Sequence, residues 1–249
     1  MEKETQPVVL EIKNLSKSFG KNHVLKDFNL SLHSGENIVV LGKSGSGKSV
    51  LIKCIIGLLY PDKGDIVVFD KYHIPELDKE TLDFVRSKIG FLFQSNALYD
   101  SMTVKENLLF PLRRHWIDTT PEMEQELIIE ALENVGLTHT LNMMPSELSG
   151  GMRKRIALAR TLILKPSIML YDEPTTGLDP ITSREISHLM VDLQKKYKTS
   201  SIIITHDLNC VRITSDKVAM LINGTCYALE DYETLLKTKD PVIKEFFES

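Results

Sequence analysis

Three cysteines, one tryptophan and no apolar run long enough to cross a bilayer are the scarcities of this 249-residue chain. Cys54, Cys210 and Cys226 are far apart, odd in number and without CxxC spacing. That excludes a disulfide framework and a zinc cluster, and it fits a reducing compartment. The longest apolar stretch, VLIKCIIGLL at 50–59, carries Lys53 and falls short of the roughly 20 residues a spanning helix needs, so no direct membrane span is expected. The amino-terminal MEKETQPVVLEI lacks the basic segment and long apolar run of a secretory signal, so export is not expected. Neither sign of charge dominates: 30 Lys+Arg stand against 34 Asp+Glu, for a net charge of -4. A strongly basic nucleic-acid-binding surface is excluded as the leading idea, and no nucleic-acid partner is expected. There is no internal repeat and no low-complexity tract.

What is present is an ordinary globular composition, 42% hydrophobic and 26% charged, in a length that suits one folded body over 1–249 with a subdomain. Strand-like segments stand at 8–12, 23–32, 36–42, 64–70 and 88–94, and again at 167–173, 200–206 and 218–224. Helical segments follow Gly47 and cover about 182–196. Between about 95 and 165 the character changes: 123–137 and 151–164 read as helices, joined by loops that hold Pro111, Pro121 and Pro145. A helical insertion into an α/β core explains that change. Strands separated by helices predict a largely parallel sheet covered on both faces. The tail from Asp231 to Ser249 suggests two short helices.

GKSGSGKS at 42–49 matches G-x-x-x-x-G-K-[ST] and lies between a predicted strand and a predicted helix. Gly42, Gly45 and Gly47 let a backbone fold closely around phosphate oxygens, and the helix start directs N–H groups at the anion. Lys48 is the point charge for the β and γ phosphates, and Ser49 offers a hydroxyl to Mg²⁺. Lys43, Ser44, Ser46 and Val50 complete this phosphate-binding segment. In SIMLYDE at 167–173 a buried strand delivers Asp172 and Glu173 at its carboxyl end, where ligands of such sheets collect. Asp172 suits a metal ion, directly or through water. Glu173 is placed to orient or deprotonate a water attacking the γ phosphate.

LSGGM at 148–152, before RKRIALAR, makes a second anion-binding helix start out of Ser149, Gly150 and Gly151. One nucleotide needs a single phosphate cradle. The economical explanation is that the second cradle completes another subunit's site, with ATP held between two chains.

With the phosphate loop, LSGGM, DEPTTGLDP at 172–180 and His206 ending IIITH in this order, the sequence clearly resembles the ATPase subunit of ATP-binding cassette (ABC) transporters over essentially its whole length. The resemblance implies an α/β P-loop NTPase fold with a mostly parallel core sheet, an antiparallel β subdomain and an inserted helical subdomain. It implies ATP and Mg²⁺ as cofactors. Phe19 would stack on adenine. Gln94 would sense the γ phosphate and Mg²⁺, as a metal ligand beside Ser49 and Asp172. Ser149 and Gly151 would reach the γ phosphate across a head-to-tail homodimer, and Asp179 would couple the two sites. His206 would hold the geometry of the attacking water. Val50 stands where many relatives carry a second hydroxyl, which leaves the role of Ser49 intact.

The segment FLFQSNALYDSMTVKENLLFPLRRH at 91–115, MPSELSGGMRKR at 144–155, GLDPIT at 177–182 and the ending DPVIKEFFES most resemble the ATPases of Mce-type lipid transporters. That resemblance implies phospholipid or another hydrophobic lipid as cargo, an integral membrane permease and an Mce-domain lipid-binding protein as partners, and a peripheral position on the cytoplasmic side of a bacterial inner membrane. The alternatives are a transporter of a polar substrate and a cell-division-type regulatory ATPase, which would use the same catalytic residues. Leu98, Tyr99, Met102, Leu108, Leu109 and Phe110 suit a docking groove for the permease or the core of the helical insertion, with the two readings evenly balanced.

Overall fold

A computed structural model describes residues 6–114 and 119–247. Three parts of the expectations lie outside the described residues: 1–5 of the amino-terminal segment, 115 at the end of 91–115, and 248–249 of the DPVIKEFFES ending.

The chain opens with β1 (Val8–Phe19) and β2 (Asn22–His33), an antiparallel pair turned at Gly20. Leu10, Ile12 and Leu15 of β1 are buried on its inner face. The fully buried β3 (Asn37–Leu41) leads into α1 (Lys48–Ile55). Then come β4 (Lys63–Val68), the short β5 (Tyr72–His73), α2 (Lys79–Ser87) and β6 (Ile89–Leu92). The helical insertion contains α3 (Val104–Arg114), α4 (Pro121–Asn134) and α5 (Gly150–Leu162). The chain returns through β7 (Ile168–Asp172), α6 (Pro180–Tyr197), β8 (Ser200–Thr205), α7 (Leu208–Thr214), β9 (Lys217–Ile222) and β10 (Thr225–Glu230). It closes on α8 (Tyr232–Lys237) and α9 (Pro241–Phe247), the two short tail helices expected.

Two sheets result. One is antiparallel, in the order β2-β1-β4-β5, and the other runs β10-β9-β3-β8-β7-β6. All neighbours in the second are parallel except the hairpin of β9 and β10. Every residue of β3 and β8 is buried, which is why both read as continuous apolar runs rather than alternating ones. One core, including Phe28, Leu51 and Ile202, lies between the sheets around α1; a second, including Ile186, Met190 and Val211, packs α6 and α7 on the opposite face. A third, including Leu108, Leu132 and Ile156, belongs to the helical insertion. Helix α5 serves two of them: Leu158 faces the sheet core while Ile156 faces the helical core.

One expectation needs correction. Pro111 lies inside α3, Pro121 is the first residue of α4 and Pro145 opens a single 3-10 turn, so none of the three sits in an irregular loop. A proline in a helix interior costs about 3 kcal/mol. Burial of Leu108, Leu109 and Leu112 on one face, each worth about 1.5–3 kcal/mol, outweighs it. The residues with two balanced readings, groove or core, divide. Leu108 and Leu109 follow the core reading that stood beside the groove, whereas Tyr99 is exposed with its ring 4.8 Å from that of Phe110. Among the described residues no helix is long and apolar enough to cross a membrane.

Candidate nucleotide site

The loop between β3 and α1 carries its turn at two left-handed glycines, Gly45 with φ 78° and Gly47 with φ 107°. At Gly42 a Cβ would stand 2.6 Å from Ser46 Oγ and 2.7 Å from the Leu221 carbonyl, so only glycine fits. Gly47 caps α1 without a side-chain bond, and the first intrahelical bond runs from Leu51 N–H to Gly47 O at 2.9 Å. The N–H groups of Lys48, Ser49 and Val50 precede it and lack i−4 partners, which suits an anion.

Lys48 Nζ donates to the carbonyls of Gly42 at 2.7 Å and Lys43 at 3.1 Å, so the ammonium is held inside the loop it neutralises. The residue is 8% exposed. Burial lowers its pKa below the ordinary lysine value, against the opposing pull of Glu173 and Asp172. Glu173 follows the last residue of β7 with φ 49°, and its N–H donates to the Ile204 carbonyl at 2.8 Å. That left-handed backbone, costing roughly 1–3 kcal/mol for a non-glycine residue, turns the carboxylate into the cleft. Its Oε1 lies 4.0 Å from Lys48 Nζ, and its Oε2 is 2.9 Å from His206 Nδ1. Thr176 Oγ1 donates to the same Oε2 at 3.3 Å.

Asp172 Oδ1 is buried without a hydrogen-bond partner. Burial first, and Glu173 second, push its pKa above the usual carboxylate value, while Lys48, Lys53 and Lys154 oppose the rise. The Ser49 hydroxyl and the Gln94 side chain line the nucleotide cleft, and Asp172, outside that lining, adds a buried carboxylate oxygen without a partner; hydroxyl, amide and carboxylate oxygens are a hard-donor set that fits Mg²⁺. Ser49, Asp172 and Gln94 are the residues that would hold it.

An open cleft of about 580 Å³ collects Phe19, Ser44, Gly45, Gly47, Lys48, Ser49, Val50, Gln94, Glu173 and His206. Residues distant in sequence meet here because β1, β3, β6, β7 and β8 all end on this side. Phe19 closes β1 at the rim, 49% exposed, with Lys17 Nζ 5.6 Å from its ring centre. A half-exposed aromatic ring at the edge of a phosphate cleft can stack on a base. Val24 also lines the cleft, and nothing in the sequence pattern singled it out.

Lys43 corrects part of the expectation. Its carbonyl belongs to the loop, but its side chain turns away to Glu245 Oε1 at 2.6 Å and to the Phe246 ring. Ser149, Gly150, Gly151 and Asp179 are absent from the cleft's lining. Ser149 caps α5 by accepting from Met152 N–H at 3.2 Å, and Asp179 caps α6 by accepting from the N–H groups of Ile181 and Thr182, each at 3.0 Å. Gly151 is fixed by packing, since a Cβ there would stand 2.7 Å from Thr182 Cγ2. Lys154, buried in α5, was missed; its i, i+4 spacing to Leu158 on an inward face was the available signal.

The fold and the cleft together define a P-loop ATPase with a helical insertion. The family model described as "ABC transporter" matches residues 25–176, and the chain belongs to this family as its ATP-hydrolysing, Mg²⁺-dependent nucleotide-binding subunit. It is 40% identical over 239 residues to the "Probable ribonucleotide transport ATP-binding protein mkl" of Mycobacterium leprae, covering 96% of this chain and 68% of that one. It is 35% identical over 227 residues to the methionine import ATP-binding protein MetN of Clostridioides difficile, covering 91% and 70%. It is 36% identical over 239 residues to the intermembrane phospholipid transport system ATP-binding protein MlaF of Haemophilus influenzae, covering 96% and 89%. The chain therefore spans only 66–68% of the length of the mycobacterial relatives. The dimeric, post-hydrolysis structure of the ATP-binding cassette MJ0796 bound to ADP and Pi superposes with a TM-score of 0.79 at 32% identity, over 89% of this chain and 98% of that one.

Proposed function

We propose that two copies of this chain close head to tail around ATP and drive an integral membrane permease from the cytoplasmic face of a bacterial inner membrane. The observation that carries this reading is the division of the site. Lys48, Gln94, Glu173 and His206 share one cleft, while the helix start at Ser149–Gly151 faces elsewhere in the same chain. A second copy would bring that start to the open side of the cleft, where Asp179 would stand between the two sites.

In the closed pair Lys48 would hold the β and γ phosphates, Phe19 the base, and Glu173 the attacking water, with His206 fixing the rotamer of Glu173. Bound Mg²⁺ would supply charge neutralisation on the phosphate oxygens. Residues 95–165 would act as one inserted unit within a single domain of 1–249, carrying motion to the permease.

For the cargo, a polar solute is the better supported class. The names of the mycobacterial and MetN relatives, at 40% and 35% identity, point to ribonucleotides and methionine. The lipid cargo and Mce-domain partner expected from the sequence form a second reading, favoured by the 36% identity to MlaF across 89% of that protein.

The test is to tag the chain in its native host, extract membranes in mild detergent and identify stoichiometric partners and bound lipid by mass spectrometry. A polytopic permease with a solute-binding protein supports the polar reading, and a permease with an Mce-domain protein and phospholipid supports the second. Recovery without any membrane protein would reject both.

A further inference from the structure

Lys154 is 1% exposed, one turn into α5. A buried ammonium is disfavoured unless partners replace its water, and an apolar side chain of the same length would fill the space at less cost. What the ammonium reaches is the main chain of the nucleotide cleft: it donates to the Gln94 carbonyl at 3.1 Å. Its charge also acts on Asp172, whose Oδ1 has no hydrogen-bond partner.

The stretch it holds is under backbone strain. Asn96 and Ala97 are consecutive non-glycine residues at φ 64° and 51°. Such backbone persists only where its surroundings over-determine it. Helix α5 supplies a second clamp: Arg160 donates to the Asn96 carbonyl and to Asn107 Oδ1, each at 3.3 Å. The fully buried Asn107 in turn accepts from Tyr99 N–H at 2.8 Å and donates to the Tyr99 carbonyl at 3.1 Å. Lys154 and Arg160, two of the four cationic residues of α5, therefore grip the segment that presents the Gln94 side chain to the cleft.

We propose that Lys154 is a positioning residue for ATP hydrolysis, tying the helix that starts at Ser149 to the main chain of Gln94 so that displacement of α5 moves Gln94 relative to Asp172. The proposal rests on the nucleotide reading of the cleft. It links, within one chain, the helix start offered to the partner's nucleotide and the metal end of the chain's own site.

The test compares the full chain with Lys154→Met, which keeps length and loses the cation, and with Lys154→Arg, which restores a cationic donor. Amide hydrogen exchange over 93–99 is read without nucleotide, and ATPase kcat and KM are read separately. Lys154→Met is expected to raise exchange over 93–99 about tenfold, with β7 and α1 still protected. It should lower kcat about tenfold with KM for ATP within about twofold, and Lys154→Arg should recover most of both. Should the Met variant fail to fold, Lys154→Gln, whose shorter neutral amide keeps a donor, is expected to raise exchange over 93–99 and lower kcat in the same direction by a smaller factor. Unchanged exchange at 93–99, loosening spread equally over β7 and α1, or an Arg variant no better than Met would overturn the positioning role. Absence of ATPase activity in the unaltered protein would instead sink the nucleotide reading and this role with it, an outcome told apart because the exchange data need no nucleotide.

Discussion

Glu173 and His206 stand 2.9 Å apart, Oε2 to Nδ1, at the ends of adjacent parallel strands, with the other carboxylate oxygen of Glu173 4.0 Å from Lys48 Nζ. Three residues spread over more than 150 positions of the chain form one contiguous set. The histidine holds one oxygen, and the lysine faces the other.

Replacing Glu173 with Gln removes the proposed base while keeping the shape of the site. The expected result is retained ATP binding, a dimer trapped in the presence of Mg-ATP, and turnover lowered by about a hundredfold or more. Steady-state ATPase and size-exclusion measurements check it, and wild-type turnover would reject Glu173 as the base.

Lys48→Ala removes a cation whose bonds to Gly42 and Lys43 tie the phosphate loop together. Nucleotide affinity should fall about tenfold or more before any chemical step is affected. A fluorescent-nucleotide titration with unaltered affinity would contradict this.

Ser149→Arg should block the partner's nucleotide while the monomer still folds. Loss of the cap on α5 costs about 1 kcal/mol, a fall of about 2–4 °C in Tm for a domain of this size. ATP-dependent dimerisation should disappear. Normal dimerisation with full activity would refute the shared site.

Gly42→Ala places a methyl against the Leu221 carbonyl and Ser46 Oγ. The loop must shift, with a loss of about 1–3 kcal/mol in stability and weaker nucleotide binding. Thermal melts with and without ATP read both, and an unchanged Tm would show that the loop relaxes freely.

Asp179 carries a pH signature. The Thr182 side chain, followed by the N–H groups of Thr182 and Ile181, holds its carboxyl below the usual carboxylate range. A lowered folded-state pKa means that the stabilisation is present above the unfolded value of about 3.9 and is lost as pH falls through the folded value. Asp179→Ala should therefore melt below wild type at neutral pH, with the gap closing in acid. A gap that stays constant down to pH about 3 would assign it to packing rather than to the carboxylate.

Much of the architecture was legible because it rests on local chemistry. β3, β7 and β8 and the start of α1 were read within a residue or two, since continuous Val and Ile runs, a glycine loop and a strand-ending Asp-Glu pair leave few alternatives; α1 ends at Ile55, four residues before the apolar run does. α2 and α7 were not read, being short helices of seven to nine residues whose ends are set by the caps Asp78 and Asp207 more than by periodicity. β10 was also missed, because its burial is partial and it depends on pairing with β9.

The sequence by itself determined the phosphate loop, the carboxylates at the end of β7 and the glycine-bearing helix starts at Gly47 and Ser149, because each depends on residues within a few positions of one another. Tertiary structure alone decided that Lys43 faces Glu245, that Pro111 sits inside a helix, that Leu108 and Leu109 belong to a core, and that Lys154 holds Gln94. Those outcomes turn on burial and on long-range hydrogen bonds. They depend on which surfaces meet, and residue spacing along the chain does not carry that information.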